Sequence, residues 1–421
     1  MVTIKKRVSL GYQTDPLTGK SKQIKKVISV EGKNKQDAEL KFALEVVKQK
    51  AELKRGTTIA TYRDLVSEYY RINNALKPRT MATDYQLLNI INPTFASRKI
   101  SDIQPDLVFD FLREAEKKGY SDSMLFNIYK TLNKHLNFAA DNDIIEYNPL
   151  RKLKKTKYAQ QPGPVTSSDT FDYVTEFFLR AFNDDSGKVT LKHKVMLLLV
   201  ADGCLRTAEL FGIVKSKINF DDQWVDVSQN FYHLSKKEAK LLDCNQEGYT
   251  TTKTRGSTRR IPLSNITIEY IKRYIEECDS YLEKNRLLNS KGLLFYQVRN
   301  IPDRTRNHGP RKADAPFHEV KSSQGSLFNQ MLRRMCLEYS LPIITAHKIR
   351  KWAFTYRFNL ECDDKYCKYI LGHGENRCDS TYLLTMFKLA KKQHVIWEND
   401  FNKIVLSQES KTSDKTFAQN A

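Results

Sequence analysis

The sequence predicts a multidomain protein that is mainly α-helical and carries small β-sheets. Along most of the 421 residues, apolar positions recur at the three- and four-residue spacing of helices. Alternating strand patterns occur only near the N-terminus and in an interval that begins near residue 224. Because a single core seldom grows beyond about 250–300 residues, we expect several domains.

The chain is strongly basic, with 70 Lys and Arg against 49 Asp and Glu and a net charge of +21. Such a surplus favours a polyanion as partner, because each phosphate that is neutralised releases counterions. The longest apolar run, residues 195–201, is too short to span a membrane, and no secretory signal is evident. The seven cysteines include no CxxC pair. We therefore expect a protein of the reducing cytosol without a disulfide framework or a metal site.

Residues 1–56 are expected to form a small sheet with one helix packed on it. Two strand-like segments flank a turn at residues 15–19, and Asn34 is placed to cap a helix with Asp37 in its first turn. The apolar face of that helix is predicted at positions 40, 43, 44, 47 and 51. The sheet could lie against DNA or be a solvated basic face. The candidate DNA-binding residues are Lys5, Lys6, Arg7, Lys20, Lys22, Lys25 and Lys26.

Residues 57–149 are expected to form a compact four-helix domain. The helices are predicted over 61–73, 78–89, 104–118 and 121–141, with Pro78 and Pro105 at helix starts and Ser121 at an N-cap. Residues 150–164 are basic and contain Pro-Gly-Pro, which predicts an extended linker able to follow a phosphate backbone. Its candidate DNA-binding residues are Arg151, Lys152, Lys154 and Lys155.

Residues 165–406 are expected to form a third, mixed α+β domain. Helices are predicted over 168–182 and 189–201, and strands over 224–227, 249–253 and 259–262, the last two joined as a hairpin by residues 254–258. An amphipathic segment at 386–406 could pack on its own domain or dock on a neighbouring protomer. Residues 407–421 are polar and are expected to be disordered.

Three separated stretches of this region carry a set of cationic, imidazole and phenolic groups. The first contains Arg206-x-x-Glu209-Leu210, the second Lys253 within a KTxxSxR pattern, and the third His347-x-x-Arg350 followed by Leu371-Gly372-His373 and Tyr382. In this order and spacing the motifs resemble the signature of the tyrosine recombinases, the phage integrase family. The domain layout resembles that of lambda-type integrases of phages and conjugative transposons.

The resemblance implies an N-terminal arm-binding module with a three-stranded sheet and a helix, a four-helix core-binding domain and a tyrosine recombinase catalytic domain. It also implies the site residues. Tyr382 would attack phosphorus and hold the cut strand as a 3′-phosphotyrosine, while Arg206 and Arg350 would neutralise the developing charge. Lys253 would be the general acid, and His347 would assist proton transfer and phosphate binding. His373 would donate to the phosphate, and Glu209 would orient its neighbours.

The implied activity is site-specific DNA recombination that integrates and excises a mobile element, without cofactor or metal. The resemblance further implies arm-type and core-type DNA sites, a homotetramer on DNA, an excisionase, a host DNA-bending protein and a location at the bacterial nucleoid. Two alternatives stay open. A tyrosine-type DNA topoisomerase would share the phosphotyrosine chemistry, and a non-catalytic DNA-binding regulator would share the charge and the domains.

Overall fold

The computed structural model describes residues 2–14, 21–54, 59–73, 75–160, 170–252, 257–297, 317–372 and 380–406. The chain divides into two compact units, Met1–Pro164 and Val165–Ala421. None of the described helices has the length and apolar character needed to cross a bilayer. The predicted turn at 15–19 and the tail at 407–421 lie outside the described residues.

The first unit opens with an antiparallel pair of strands and a helix. The strands pair from Val2 opposite Gly32 to Thr14 opposite Ser21. The three-stranded sheet implied by the resemblance is wrong for the described residues, which form two strands. After the second strand the chain turns at once into the helix, because Asn34 accepts from the amide of Asp37 at 2.8 Å as an N-cap. The elements are β1 (Val2–Thr14), β2 (Ser21–Gly32) and α1 (Lys35–Lys54).

Over the described side chains, helix α1 packs on the sheet through a different face from the predicted one, while the side chains at 47 and 51 lie outside the described part. Leu40 and Leu44 are exposed, whereas Ala38 and Ile28 of β2 are buried. The reason is the close approach of the helix to the end of β2. A Cβ atom at Gly32 would lie 2.3 Å from the backbone nitrogen of Ala38, so the contact requires glycine and the smallest side chain opposite it.

Four helices complete the first unit around a separate apolar core. Thr61 and Ser121 cap the first and the last of them, and Pro78 and Pro105 occupy first-turn positions as predicted. The core is built largely from leucine, isoleucine and aromatic side chains of all four helices. The helices are α2 (Tyr62–Ile72), α3 (Pro78–Phe95), α4 (Pro105–Lys117) and α5 (Asp122–Asp141), with a 3₁₀ turn at Ile100–Asp102.

The start of the predicted linker is folded rather than extended, which corrects the sequence prediction. Residues Pro149–Lys155 and Lys157–Ala159 form two 3₁₀ helices. Leu150, Leu153 and Tyr158 are buried in the core of the four helices. Burial of these three apolar side chains stabilises the turns, since 3₁₀ geometry is weak by itself. Residues 161–164 lie outside the described part of the chain.

The second unit surrounds a helix that is buried along most of its length. Every residue from Val195 to Gly203 is buried. The helices are α6 (Thr170–Phe182), α7 (Leu191–Gly203), α8 (Thr207–Leu210), α9 (Lys236–Leu241), α10 (Asn265–Lys284), α11 (Gly325–Glu338), α12 (Ala346–Asn359), α13 (Asp364–Leu371) and α14 (Ser380–Val405). A 3₁₀ helix covers Lys215–Lys217.

The strands of the second unit are short and antiparallel except for one parallel pair. They are β3 (Ile218–Asn219), β4 (Trp224–Val227), β5 (Gln229–His233), β6 (Glu247–Thr251), β7 (Arg259–Pro262), β8 (Leu287–Leu288), β9 (Tyr296–Gln297), β10 (His318–Glu319) and β11 (Lys321–Ser322). The predicted hairpin between β6 and β7 is wrong for the described residues. Strand β6 pairs with β5, and β7 pairs with β4.

The C-terminal helix α14 packs on its own unit. It contacts α6, α13 and β7. Trp397 and Phe401 are fully buried, and their rings stack with centroids 4.6 Å apart beside Trp352 of α12. Of the two packing modes left open by the sequence, this is the intramolecular one.

Candidate functional site

Arg206 follows the buried helix α7 through a sharp turn. Cys204 ends α7 in the left-handed region at φ 44°, which turns the chain out of the helix. Arg206 then becomes the N-cap of α8, and its side chain keeps an exposed fraction of 28%. The turn therefore places a partly exposed guanidinium group directly after the buried end of α7.

Glu209 lies in α8, almost fully buried, among three arginines. Its carboxylate accepts from the Arg206 side chain at 2.5 Å and from the Arg206 amide at 3.0 Å. Arg259 donates to it at 3.2 Å, and Arg350 lies 3.8 Å away. Burial by itself would raise the pKa of Glu209, but Arg259 and Arg206 outweigh it and hold the pKa below its ordinary value. The carboxylate is thus ionised at neutral pH.

Arg350 of α12 joins the turn before Arg206 to the end of α13. Its two terminal nitrogens donate to the carbonyl oxygens of Cys204 and Leu371. Only 3% of the side chain is exposed. Burial, and then repulsion by Arg206, lower its pKa to about 10, so the group stays charged at pH 7. Three guanidinium groups share the one Glu209 carboxylate, which leaves the cluster positive and suited to an anion.

His347 lies one helical turn before Arg350 and reaches the surface. The covered part of its ring, followed by the positive charges of Lys351, Arg350 and Arg206, lowers its pKa. The imidazole is therefore neutral at pH 7 and can act as a hydrogen-bond donor at one nitrogen and an acceptor at the other. Trp352, two residues after Arg350, points the other way and donates to Thr175 in the core at 3.0 Å.

The structure does not describe the side chains of three predicted site residues. Lys253 and His373 lie outside the described residues. The backbone of Tyr382 belongs to the first turn of α14, and its side chain lies outside the described part. The structure thus brings Arg206, Glu209, Arg350 and His347 together, and it leaves the positions of the other three side chains as predictions.

The described residues beside Lys253 and His373 in the sequence meet each other. The hydroxyl groups of Thr252 and Thr258, which lie before and after Lys253 in the sequence, are 3.0 Å apart. Ser257 donates to the carbonyl of Gly372 at 3.4 Å. Gly372 ends α13 at φ +68°, a conformation that favours glycine. The chain segments leading to both residues therefore converge near Arg350.

Two other tyrosines near the motif have structural roles. Tyr366 is fully buried, accepts from Arg357 at 3.1 Å and contacts His394. Tyr369 donates to the carbonyl of Arg260 at 2.8 Å, and burial raises its pKa to about 12. A phenol that is buried and bonded in this way is a poor nucleophile, which leaves Tyr382 as the candidate of this region.

Sequence reasoning missed the buried residues that support the site. Arg357 donates to the carbonyls of Ala201 at 3.0 Å and Asp202, and its guanidinium lies 3.7 Å from the ring centre of Trp397. Arg259 contacts Glu209 from β7. Only Arg259 had a signal in the sequence, since it ends the KTxxSxR pattern; the contacts of Arg357 join remote segments with no characteristic spacing.

The candidate DNA-binding cations of the N-terminal sheet lie on both of its faces. Lys5, Arg7 and Lys25 alternate with the residues that face α1 and so lie on the open face, whereas Lys6 and Lys26 lie on the α1 side. Lys20 and the side chain of Lys22 lie outside the described part. The first 3₁₀ helix of the linker exposes Arg151, Lys152, Lys154 and Lys155.

Comparison with known proteins relates the sequence to one family. Residues 174–386 match the Phage integrase family. The Prophage ps2 probable integrase of Lactococcus lactis subsp. lactis (strain IL1403) is 24% identical over 338 residues, which cover 78% of this chain and 85% of the relative. The ICEBs1 integrase of Bacillus subtilis (strain 168) is 20% identical over 370 residues, 87% of this chain and 89% of the relative.

The fold is also similar to that of a solved structure. The Tn1549 transposon integrase, determined in complex with a circular intermediate DNA, superposes with a TM-score of 0.56 at 18% identity. The similarity covers 79% of this chain and 98% of that one. At this identity the superposition supports the fold, while the family match takes in just over half of the 421 residues. The chain belongs to the phage integrase family.

Proposed function

We propose that this protein, a site-specific DNA recombinase by family, cleaves and rejoins DNA with Tyr382 as the nucleophile. The observation that carries the proposal is the meeting of Arg206 and Arg350 on one buried carboxylate, Glu209. Two guanidinium groups held this close, one of them open to solvent, suit the equatorial oxygens of a phosphodiester under in-line attack.

The reaction conserves bonds and needs no added energy source. The Tyr382 hydroxyl passes its proton to the neutral imidazole of His347, and its oxygen forms a bond to phosphorus as the bond from phosphorus to the 5′-oxygen breaks. The 5′-oxygen takes a proton from Lys253. The 3′-phosphate then remains esterified to the protein. Attack by a 5′-hydroxyl of a partner duplex reverses the step, frees Tyr382 and joins the exchanged strands. His347, once it carries the proton of Tyr382, and His373 would donate to the phosphate.

The proposal assigns a role to each segment of the chain. Residues 1–56 would bind arm-type DNA through the open face of the sheet, and 57–149 would bind the core site, followed by the linker at 150–164. Residues 165–406 would be the catalytic domain. Four protomers would act together on two duplexes, with an excisionase and a host DNA-bending protein as accessory partners. The DNA complex of the similar Tn1549 integrase supports DNA as the partner.

The test uses a nicked suicide duplex that carries the attachment site. The parent protein should form a covalent adduct that survives denaturing electrophoresis, and peptide mapping should locate the DNA on Tyr382. Tyr382→Phe should bind the same duplex and give no adduct, while Tyr369→Phe serves as the matched control and should still react. An unchanged Tyr382→Phe would favour a non-catalytic regulator. Relaxation of single plasmids without exchange between two sites would favour a topoisomerase.

A further inference from the structure

Arg259 of β7 is a buried arginine whose donors all point into the protein. Its Nε donates to the carbonyl of Ile370 at 2.9 Å and its Nη1 to the carbonyl of Ser257 at 2.8 Å. Its Nη2 contacts the carbonyl of Gly203 at 3.3 Å and the carboxylate of Glu209 at 3.2 Å. The side chain has an exposed fraction of 0%, so it cannot contact DNA phosphate.

The partners of Arg259 come from three remote segments, and each segment carries a residue of the proposed site. Gly203 and Glu209 flank Arg206. Ser257 lies four residues after Lys253 in the sequence, and Ile370 lies three residues before His373. One planar guanidinium group is thus the common partner of the segments that present an arginine, a lysine and a histidine.

The room for Arg259 depends on Gly372 at the end of α13. A Cβ atom at Gly372 would lie 2.9 Å from Nη1 of Arg259 and 3.1 Å from its central carbon. The absence of a side chain there lets the end of α13 lie against the guanidinium group. The glycine of the Leu371-Gly372-His373 motif therefore has a second role besides its backbone conformation.

We propose that Arg259 is a positioning residue for DNA cleavage, which fixes the segments of Arg206, Lys253 and His373 relative to one another. The inference rests on the proposed function, because it concerns the same reaction. A buried guanidinium needs several acceptors to offset its desolvation, and here the backbone carbonyls of the site segments supply them. Loss of this guanidinium group would remove the contact that joins all three segments.

The pH dependence of cleavage, through the charge of Glu209, distinguishes a positioning role of Arg259 from a simple loss of packing. Burial raises the pKa of this carboxyl and Arg259 is the first of the groups that lower it. Without the positive charge of Arg259, the carboxyl should take up a proton at a higher pH. The acid limb of the cleavage rate should then move toward neutral pH, because protonated Glu209 no longer holds Arg206 as an ion pair.

The main experiment compares Arg259→Gln with Arg260→Gln in adduct formation on the suicide duplex, at several pH values between about 5 and 8. Arg260 is the matched control, since it lies next in the same strand, is exposed and stacks 4.6 Å above Trp224. We expect Arg259→Gln to cleave roughly tenfold to a hundredfold more slowly at pH 7, with duplex affinity retained and an acid limb at higher pH. Arg260→Gln should follow the parent.

If Arg259→Gln does not fold, Arg259→Lys tests the same role. A lysine retains the charge near Glu209 but lacks the planar fork, so the acid limb should stay near that of the parent while the rate falls at every pH. In a Glu209→Gln background, exchange of Arg259 should move the acid limb no further. A shift that persists in that background would contradict the role assigned to Glu209.

The outcomes separate this inference from the proposed function. If the parent protein forms no adduct at all, the proposed function fails before Arg259 is tested. If the parent reacts and both Arg259 variants match its rate and its pH profile, the positioning role is wrong and the recombinase reaction stands. A stable, folded variant that only loses duplex affinity would also overturn the inference.

Discussion

The indole nitrogen of Trp397 donates to the carboxylate of Asp202 at 2.8 Å, deep inside the second unit. Trp397 belongs to α14, the helix whose first turn contains Tyr382, and Asp202 lies four residues before Arg206. The other carboxylate oxygen accepts from the amide and the hydroxyl of Ser264 at 3.0 and 2.7 Å. This bond therefore ties the helix of the proposed nucleophile to the turn of the first arginine.

Replacement of Trp397 by phenylalanine should destabilise the second unit. The substitution keeps a stacked ring beside Phe401 but removes a donor from a fully buried carboxylate. The expected loss is about 2 kcal/mol of unfolding free energy, typical of a hydrogen bond to a charged group. The urea midpoint, followed by the fluorescence of the remaining tryptophans, measures it. The control is Trp224→Phe, in which a half-buried ring changes, with an expected loss below about 1 kcal/mol.

The four-helix block contains a buried histidine that should make its stability depend on pH. His135 of α5 is fully buried, contacts the Tyr62 hydroxyl at 2.8 Å, and burial followed by repulsion from Lys134 lowers its pKa to about 3. Below pH 6.5 the unfolded chain binds a proton that the folded domain excludes. Stability should therefore fall by roughly 3–5 kcal/mol as the pH drops from 6.5 toward 3.

Hydrogen exchange in peptides from α5, corrected for the intrinsic effect of pH, measures this loss. All three tryptophans lie in the second unit, so their fluorescence would not report on the helical block. His135→Gln removes the titrating group and should flatten the pH dependence. Peptides from α10 serve as the internal control and should be unaffected. An equal slope in the variant would show that another group causes the loss.

The open face of the N-terminal sheet should bind DNA in preference to the face that packs on α1. Lys5→Ala and Arg7→Ala remove cations from the open face, and each should reduce the salt slope of arm-site binding by about 0.9 if it contacts one phosphate. Lys6→Ala is the matched control, because this lysine lies between them on the opposite face. Titrations over a range of salt concentrations give the slopes. Equal effects of all three changes would indicate a diffuse basic surface.

Much of the fold and part of the candidate site could be predicted, because these features depend on residues close together in the sequence. Thr61, Ser121 and the prolines at 78 and 105 mark helix starts by chemistry that acts within one turn, and the spacing of Arg206 and Glu209 is that of one helical turn. Contacts between remote segments had no such signal. The bonds from Trp397 to Asp202 and from Arg357 to Ala201 join positions about two hundred and one hundred and fifty residues apart.

The sequence predictions that were wrong also concern contacts between separate secondary-structure elements. The apolar leucines 40 and 44 of α1 form a regular helical face, yet the helix packs through the side of Ala38, which lies against Gly32. Strands β6 and β7 follow each other in the sequence as a hairpin would, but each pairs with an earlier strand. Strand register and the docking of a helix depend on tertiary contacts, which periodicity alone does not specify.

The contribution of the linker cations to core-site binding should depend on Leu153, the apolar residue that holds their 3₁₀ helix in the core. Leu153 is buried within the 3₁₀ helix that exposes Arg151, Lys152, Lys154 and Lys155, so the core holds these charges in one orientation. Leu153→Ala should loosen the turn, at a cost of about 2–4 kcal/mol to the domain, and weaken binding of the core site without removing a charge. The salt slope should stay nearly constant while the affinity falls. Lys154→Ala is the comparison and should lower the slope itself by about 0.9. If Leu153→Ala left the affinity unchanged, the folded turn would have no part in presenting these cations.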